Sequence, residues 1–236
     1  MLISITGKIG SGKDTAASLI QQITPYHNWE VKKFAGKLKQ IASLLTGIPT
    51  EKFEDQEFKQ TNLPSEWDTI KMIGTGLRQD GFNGPKTPVI EHMTVRDLLQ
   101  KLGTEGMREG LHQNVWVNAL FADYRFQKVE NGFSRVVKSA EGIPIDYEYE
   151  VTVPNWIITD TRFPNELKAI KDYGGVTIKI VRDSGNTVGT QHISETALDN
   201  VTDWDYVIDN TGTIEELKQK LYDILSKESL IKYTGL

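Results

Sequence analysis

The residues best suited to chemistry stand almost at the start of the chain: Gly7-Lys8-Ile9-Gly10-Ser11-Gly12-Lys13. A stretch this rich in glycine does not sit inside a helix. Consecutive backbone N–H groups that lead into a helix N-terminus form a concave site for anions. Glycine lets that backbone take positive φ and come close to a phosphate. Lys13 adds a mobile positive charge suited to the terminal phosphates of a nucleotide. The spacing Gly7-x-x-x-x-Gly12-Lys13 is that of a phosphate-binding loop, and it does not fit the G-x-G-x-x-G of a dinucleotide site. One position departs from the usual pattern. Where a Ser or Thr hydroxyl would meet Mg2+ stands Asp14, followed by Thr15. A carboxylate also suits magnesium, which prefers oxygen ligands and keeps waters. The plainer alternative is a glycine-rich turn with Asp14 as a helix N-cap.

A second constellation is Ile157-Ile158-Thr159-Asp160-Thr161-Arg162. An apolar strand ending in an acid can hold a carboxylate near nucleotide-bound Mg2+, although many strands end this way only to cap a turn or helix. Arg162 lies where a guanidinium can brace the oxygens of a phosphoryl group in transfer. Glu166 either orders Arg162 through an ion pair or is a plain charge at a helix N-terminus. His192 is a lone histidine, more often a hydrogen-bonded structural residue than a catalytic one. Glu54-Asp55-Gln56-Glu57 reads as a solvated face.

The elements that must carry these residues alternate in type. Residues 2–6 read as a buried strand, and a helix from Asp14 buries Ala16, Leu19, Ile20 and Ile23. Glu30 to Ala35 reads as a strand, followed by a helix that Gly47 stops. Residues 48–93, with Pro49, Pro64, Pro85 and Pro88, read as loops with short helices. Thr94 to Asp97 resembles a capping box ahead of the stripe Leu98, Leu99 and Leu102, and a further helix starts near Asn114. Residues 133–153 alternate as a β-hairpin around Glu141-Gly142. Trp156 to Asp160 is a strand, Pro164 to Tyr173 a helix with proline in its first turn, and Val176 to Val181 a strand. Asp205 to Asp209 is a last strand and Thr213 to Leu225 a last helix. Such alternation predicts an α/β fold with a mostly parallel sheet covered on both faces, and ligands beyond the C-terminal strand ends.

Composition excludes several classes. Among 236 residues there is no cysteine, which removes disulfides, thiolate metal sites and a cysteine nucleophile and fits a reducing compartment. His27, His92, His112 and His192 are scattered without ligand spacing for zinc. The net charge of −5 and the lack of a basic block argue against a duplex nucleic-acid partner. No apolar run nears the ~20 residues of a membrane span, and the first residues do not read as a secretory signal. The expected setting is soluble and cytoplasmic.

With these motifs assembled, the chain resembles a family, the bacteriophage deoxynucleoside monophosphate kinases. Gly7 to Thr15 looks like their G-x-x-x-x-G-K-D-T loop, and Asp160 to Glu166 is similar to their D-x-R-F-P-N-E segment. Phe34 to Lys39 resembles F-A-x-x-L-K. Leu102 to Glu105 with Arg108 and Trp116 resembles L-G-T-[ED]…R…W, and His192 to Glu195 resembles H-x-S-E. Asp209 to Leu217 resembles the N-x-G-[ST]-x-x-E-L segment of several such kinases. The resemblance implies a three-layer P-loop kinase fold over residues 1–236. It carries a helical acceptor-binding excursion at about 36–130, the hairpin at 133–153 and a lid at about 183–203.

The resemblance further implies ATP-dependent phosphorylation of a deoxynucleoside monophosphate, with Mg2+, in the bacterial host cytoplasm for a phage-encoded chain, and the homodimers common among such kinases. By the same resemblance, Gly7, Lys8, Ile9, Gly10, Ser11 and Gly12 wrap the ATP phosphates and Lys13 bridges the β- and γ-phosphates. Asp14 and Asp160 hold hydrated Mg2+, and Thr15 meets the α-phosphate. Arg162 braces the moving phosphoryl group, Arg108 clamps the acceptor phosphate, Arg182 reaches the donor phosphates and Asn210 lines the donor adenine. Phe34 and Trp116 are candidates to stack on the acceptor base, with core packing as the alternative. Lys37, Arg96 and Glu166 complete the acceptor side, with plain solvation of the two cations as the alternative. Two other functions share the loop: a kinase for dephospho-coenzyme A or phosphomevalonate, and a nucleotide-dependent switch or assembly protein, although no N-K-x-D specificity motif is present.

Overall fold

The structure, a computed structural model, describes residues 1–74, 86–124, 127–129, 137–138, 144–145, 150–182 and 196–231. Along the chain run β1 (Leu2–Thr6), α1 (Lys13–Ile23), β2 (Glu30–Lys32), α2 (Phe34–Thr46), β3 (Thr69–Gly74), β4 (Lys86–Glu91), α3 (Val95–Gln100) and α4 (Val115–Phe121). Then follow β5 (Gln127–Val129), β6 (Val137–Lys138), β7 (Pro144–Ile145), β8 (Glu150–Thr152), β9 (Trp156–Ile158), α5 (Pro164–Asp172), β10 (Val176–Val181), β11 (Tyr206–Asp209) and α6 (Ile214–Lys227). Two compact units result: Met1–Phe34 with Trp116–Leu236, and Ala35–Val115.

The first unit is built on a five-stranded sheet in the order β11-β10-β1-β9-β2. Every neighbouring pair is parallel. A parallel strand covered on both faces must be apolar almost throughout, and β1 is buried at every position. Ile3 and Ile5 face Ala16, Ala17 and Ile20 of α1 and Leu217, Leu221 and Leu225 of α6. Leu2, Trp156 and Ile158 join a second cluster with Ile170 of α5 and Val117, Leu120 and Phe121 of α4. These are the three layers expected of the α/β class. Because the strands run one way, their C-terminal ends share an edge. The connections from β1 and β10 diverge, to β2 and to β11 at opposite edges of the sheet, which leaves a crevice beyond those two strand ends.

Local chemistry accounts for the starts of three helices. Pro164 occupies the first position of α5, where a missing N–H costs nothing. Thr213 caps α6 by accepting from Glu216 N–H, and Thr94 caps α3 by accepting from Asp97 N–H, both as full capping boxes. The strand expected over Glu30 to Ala35 is shorter, ending at Lys32, and α2 begins at Phe34. The reason lies far away in sequence: the Phe34 N–H donates to Asp160 Oδ1 at 2.7 Å, which starts the helix instead of extending the strand. Likewise α1 begins at Lys13 with Gly12 as N-cap, one residue before Asp14.

The second unit has its own small core of Ala42, Phe53, Leu63, Val95 and Leu98, flanked by Ile48, Phe58, Trp67 and Leu102. Short 3-10 turns at Thr50–Glu54, Phe58–Gln60 and Ser65–Trp67 match the expectation of loops with short helices. The antiparallel pair β3–β4 does not; it joins Thr69 to Glu91 and Gly74 to Lys86. Pro88 argues against a central strand, but in a two-stranded ribbon both strands are edges and proline is tolerated. Beyond Gln100 the chain continues as a π-helical segment, Lys101–Glu109, in which Gly103 is buried against Leu38. Glu54-Asp55-Gln56-Glu57 is exposed, as a solvated face should be. Glu54 pairs with Lys39, itself only 8% exposed, and Asp55 Oδ1 accepts from the Glu57 and Phe58 N–H groups. Phe53 is fully buried at the centre of this core. Phe53→Ala is expected to lower the unfolding free energy by about 3–5 kcal/mol, read from the denaturant midpoint, because few neighbours can collapse into the void.

In the hairpin region, β5 pairs antiparallel with β8 and β6 with β7, a nested arrangement that begins at Gln127, upstream of residue 133. The expected turn at Glu141-Gly142, residues 183–195 of the expected lid and His192 lie outside the described residues. Among the described residues no helix is long and apolar enough to cross a membrane.

Candidate active site

The glycine loop leaves β1 at the shared C-terminal edge. Gly10 and Gly12 take φ of 80° and 97°, values that L side chains rarely adopt. Gly7 is needed for a different reason: a Cβ there would run into the Ile180 carbonyl of β10 and the Ser11 side chain. The loop therefore lies hard against the β1–β10 crevice. Inside it the Ser11 N–H donates to the Lys8 carbonyl at 3.1 Å, and the Ala16 N–H donates to the Gly12 carbonyl at 2.9 Å. The Ser11 amide thus serves the loop itself. The Lys13 ammonium folds back onto the loop, donating to the Gly7 carbonyl at 2.7 Å and the Lys8 carbonyl at 2.8 Å. Ser11 Oγ is buried and has no hydrogen-bond partner among the described residues. A buried hydroxyl left this way costs stability, and a ligand oxygen in the hollow would satisfy it. Lys8, Ile9, Asp14 and Thr15 are exposed around the loop and the first turn of α1.

Across the same edge, the chain after β9 carries Asp160, Thr161 and Arg162. Asp160 is half-buried, with Oδ1 taking the Phe34 N–H, whereas Arg162 is exposed. Thr161, between them, is 3% exposed, and its side chain is the anchor. Its Oγ1 lies 2.8 Å from Ser4 Oγ, and its carbonyl accepts from Thr6 Oγ1 at 3.3 Å. These contacts tie the Asp160–Arg162 segment to the strand that feeds the loop, so the two constellations share one frame. Sequence reasoning missed them; the signal that could have found them is a pair of hydroxyls, Ser4 and Thr6, in an otherwise apolar buried strand.

Glu166 is 3% exposed, and its Oε2 accepts from the Arg162 N–H at 2.8 Å and the Phe163 N–H at 3.1 Å. It thus orders Arg162 through the main chain, in the manner of a capping-box acid at the start of α5. Phe34 and Trp116, at 3% and 6% exposure, are core residues, which is the alternative to base stacking left open by the sequence. Phe34 packs near Phe121 with ring centroids 6.3 Å apart. Asn210, expected at the adenine, is buried behind the loop, and its Nδ2 donates to the Ser11 carbonyl at 2.8 Å. Arg182 is exposed directly after β10. Lys37, Arg96 and Arg108 are half-buried residues of the second unit. Arg96 donates to Gln56 Oε1 at 3.4 Å, and Arg108 stands on the π-helical segment.

Among the described residues no group of three or more His, Asp or Glu could hold a metal by itself. The carboxylates of Asp14 and Asp160 nevertheless suit Mg2+, which commonly takes one or two carboxylates and completes its shell with waters and substrate phosphates.

The sequence model of the deoxynucleotide monophosphate kinase family matches residues 79–221, more than half of the chain. The chain belongs to this family. Its members are phosphotransferases, and this chain is an enzyme of that class. The match includes the segment from Asp160 to Glu166 and starts downstream of the glycine loop. A protein of Acanthamoeba polyphaga mimivirus, provisionally named a deoxynucleotide monophosphate kinase, is 29% identical over 238 residues, spanning 97% of this chain and 98% of the relative. The deoxynucleotide monophosphate kinase of Enterobacteria phage T4 is 30% identical over 135 residues, 57% of this chain and 46% of its own length. That of Escherichia phage RB69 is 29% identical over 132 residues, 56% of this chain and 45% of its own length. For the two phage kinases the similarity therefore spans less than half of the relative.

Proposed function

We propose that this kinase transfers the γ-phosphoryl group of ATP to a deoxynucleoside monophosphate, giving ADP and a deoxynucleoside diphosphate. The observation that carries the reading is the glycine loop with Lys13 and the buried Ser11 Oγ, which has no partner among the described residues, on the same sheet edge as Asp160 and Arg162, in a chain of this family. An oxygen of the acceptor phosphate bonds to the γ-phosphorus while the bond from that phosphorus to the β–γ bridging oxygen breaks, and the electron pair leaves with ADP. The acceptor phosphate is already a nucleophile, so no side chain has to remove a proton and no covalent enzyme intermediate forms.

The work of the protein is alignment and charge neutralisation. Lys13 exchanges the Gly7 and Lys8 carbonyls for phosphate oxygens, trading neutral acceptors for charged ones. Arg162, held by Thr161 on one side and by Glu166 on the other, braces the group in transfer. Asp14 and Asp160 are the residues that would hold Mg2+, which when bound supplies positive charge to the phosphates. Arg108 and Lys37 supply charge to the acceptor phosphate, and Arg182 to the donor.

Turnover is measured with ATP, Mg2+ and each common deoxynucleoside and ribonucleoside monophosphate in turn, beside dephospho-coenzyme A and phosphomevalonate. ADP and a diphosphate are expected with at least one deoxynucleoside monophosphate. ADP formation with none of them would defeat the proposal, and turnover with another acceptor alone would move the enzyme to that substrate.

A further inference from the structure

We infer that Asn210 is a positioning residue of the phosphate loop, not a contact to the donor base: its side-chain amide holds the Ser11 carbonyl beneath the loop and so aims the Gly12 N–H at the donor phosphates. The inference rests on the proposed use of this loop for a nucleotide triphosphate. Asn210 follows β11 directly, 199 residues from Ser11, and is only 7% exposed. It is held from its own side by its backbone N–H, which donates to the Val181 carbonyl at the end of β10 at 2.8 Å. From there its Nδ2 donates to the Ser11 carbonyl at 2.8 Å, in a buried bond.

A trans peptide points its carbonyl and its N–H in opposite directions. The structure contains no cis peptide among the described residues. Fixing the Ser11 carbonyl on the buried side therefore turns the N–H of Gly12 toward the open side of the loop. The peptide after Gly12 is fixed as well, because the Gly12 carbonyl accepts the Ala16 N–H in the first turn of α1. The Ser11 N–H is used within the loop, on the Lys8 carbonyl, so the direction of the Gly12 N–H matters more to an anion. The brace also accounts for glycine at position 12 beyond its φ of 97°: a Cβ there would lie 2.6 Å from Asn210 Nδ2. Preorganised backbone donors are worth more to a bound charge than donors that must first be turned.

The test separates phosphate from base. Binding of inorganic tripolyphosphate and of ATP is measured by titration calorimetry for the wild type, Asn210→Ala and Asn210→Asp, beside thermal unfolding and steady-state kinetics. Asn210→Ala is expected to weaken both probes by the same factor, about tenfold, the scale of one lost hydrogen bond. The donor KM rises and the acceptor KM stays. Asn210→Asp keeps the size but sets a carboxylate against the Ser11 carbonyl, and weakens both probes further. It also serves as the readout where the alanine variant does not fold. Loss of ATP affinity with tripolyphosphate binding intact would assign Asn210 to the nucleoside and overturn the inference. Unchanged affinities with only a lower melting temperature would overturn it as well. Failure of the wild type to bind tripolyphosphate or ATP would defeat the proposed function, and the inference with it.

Discussion

Lys13→Ala is expected to reduce turnover by at least about a thousandfold, the upper range for removal of a preorganised charge-stabilising group, while the protein stays folded. Lys13 is partly exposed, and its ammonium donates to the carbonyls of Gly7 and Lys8. Those carbonyls remain within reach of water when the side chain is removed, so little stability is lost. The loop glycines and the buried hydroxyls at the end of β1 do not depend on the ammonium. Loss of kcat with an unchanged thermal transition is the expected pair of results. Turnover within tenfold of the wild type would remove Lys13 from the mechanism and leave the loop as a structural turn.

The second large effect is expected at Asp160, where two substitutions separate two jobs. Asp160→Asn keeps an oxygen that can accept the Phe34 N–H, so α2 keeps its start, but the charge is gone. Turnover should fall about a hundredfold or more with the stability almost unchanged, because magnesium prefers a carboxylate to a neutral amide oxygen. Asp160→Ala removes the cap as well and should in addition cost about 1 kcal/mol of unfolding free energy, the usual worth of an N-terminal helix acceptor. Titration with Mg2+ completes the test: the Asn variant should require a higher magnesium concentration for half-maximal rate. An Asn variant with wild-type kinetics would reduce Asp160 to a helix cap.

Several features were legible without coordinates because they depend on neighbours in sequence. The glycine loop, the start of α5 at Pro164, the capping box at Thr94, the last helix from Thr213 and the buried strand β1 are short-range patterns with short-range causes. Other expectations failed where a partner came from far away. Strand β2 ends early because Asp160, 126 residues on, takes the Phe34 N–H. Ribbon β3–β4 was hidden by Pro88, whose cost depends on whether its strand is central or an edge.

The sequence by itself determined the alternation of strand and helix, the chemistry of the loop from Gly7 to Lys13 and the motifs shared with the kinase family, since each is written in the spacing of nearby side chains. Tertiary structure alone decided the order β11-β10-β1-β9-β2, and with it the neighbours of the loop. It also decided that Thr161 anchors Asp160 and Arg162 to β1, that Glu166 works through the main chain, and that Asn210 stands behind the phosphate site. A side chain's type says what it can donate or accept, but only the packing of distant strands says which group it meets.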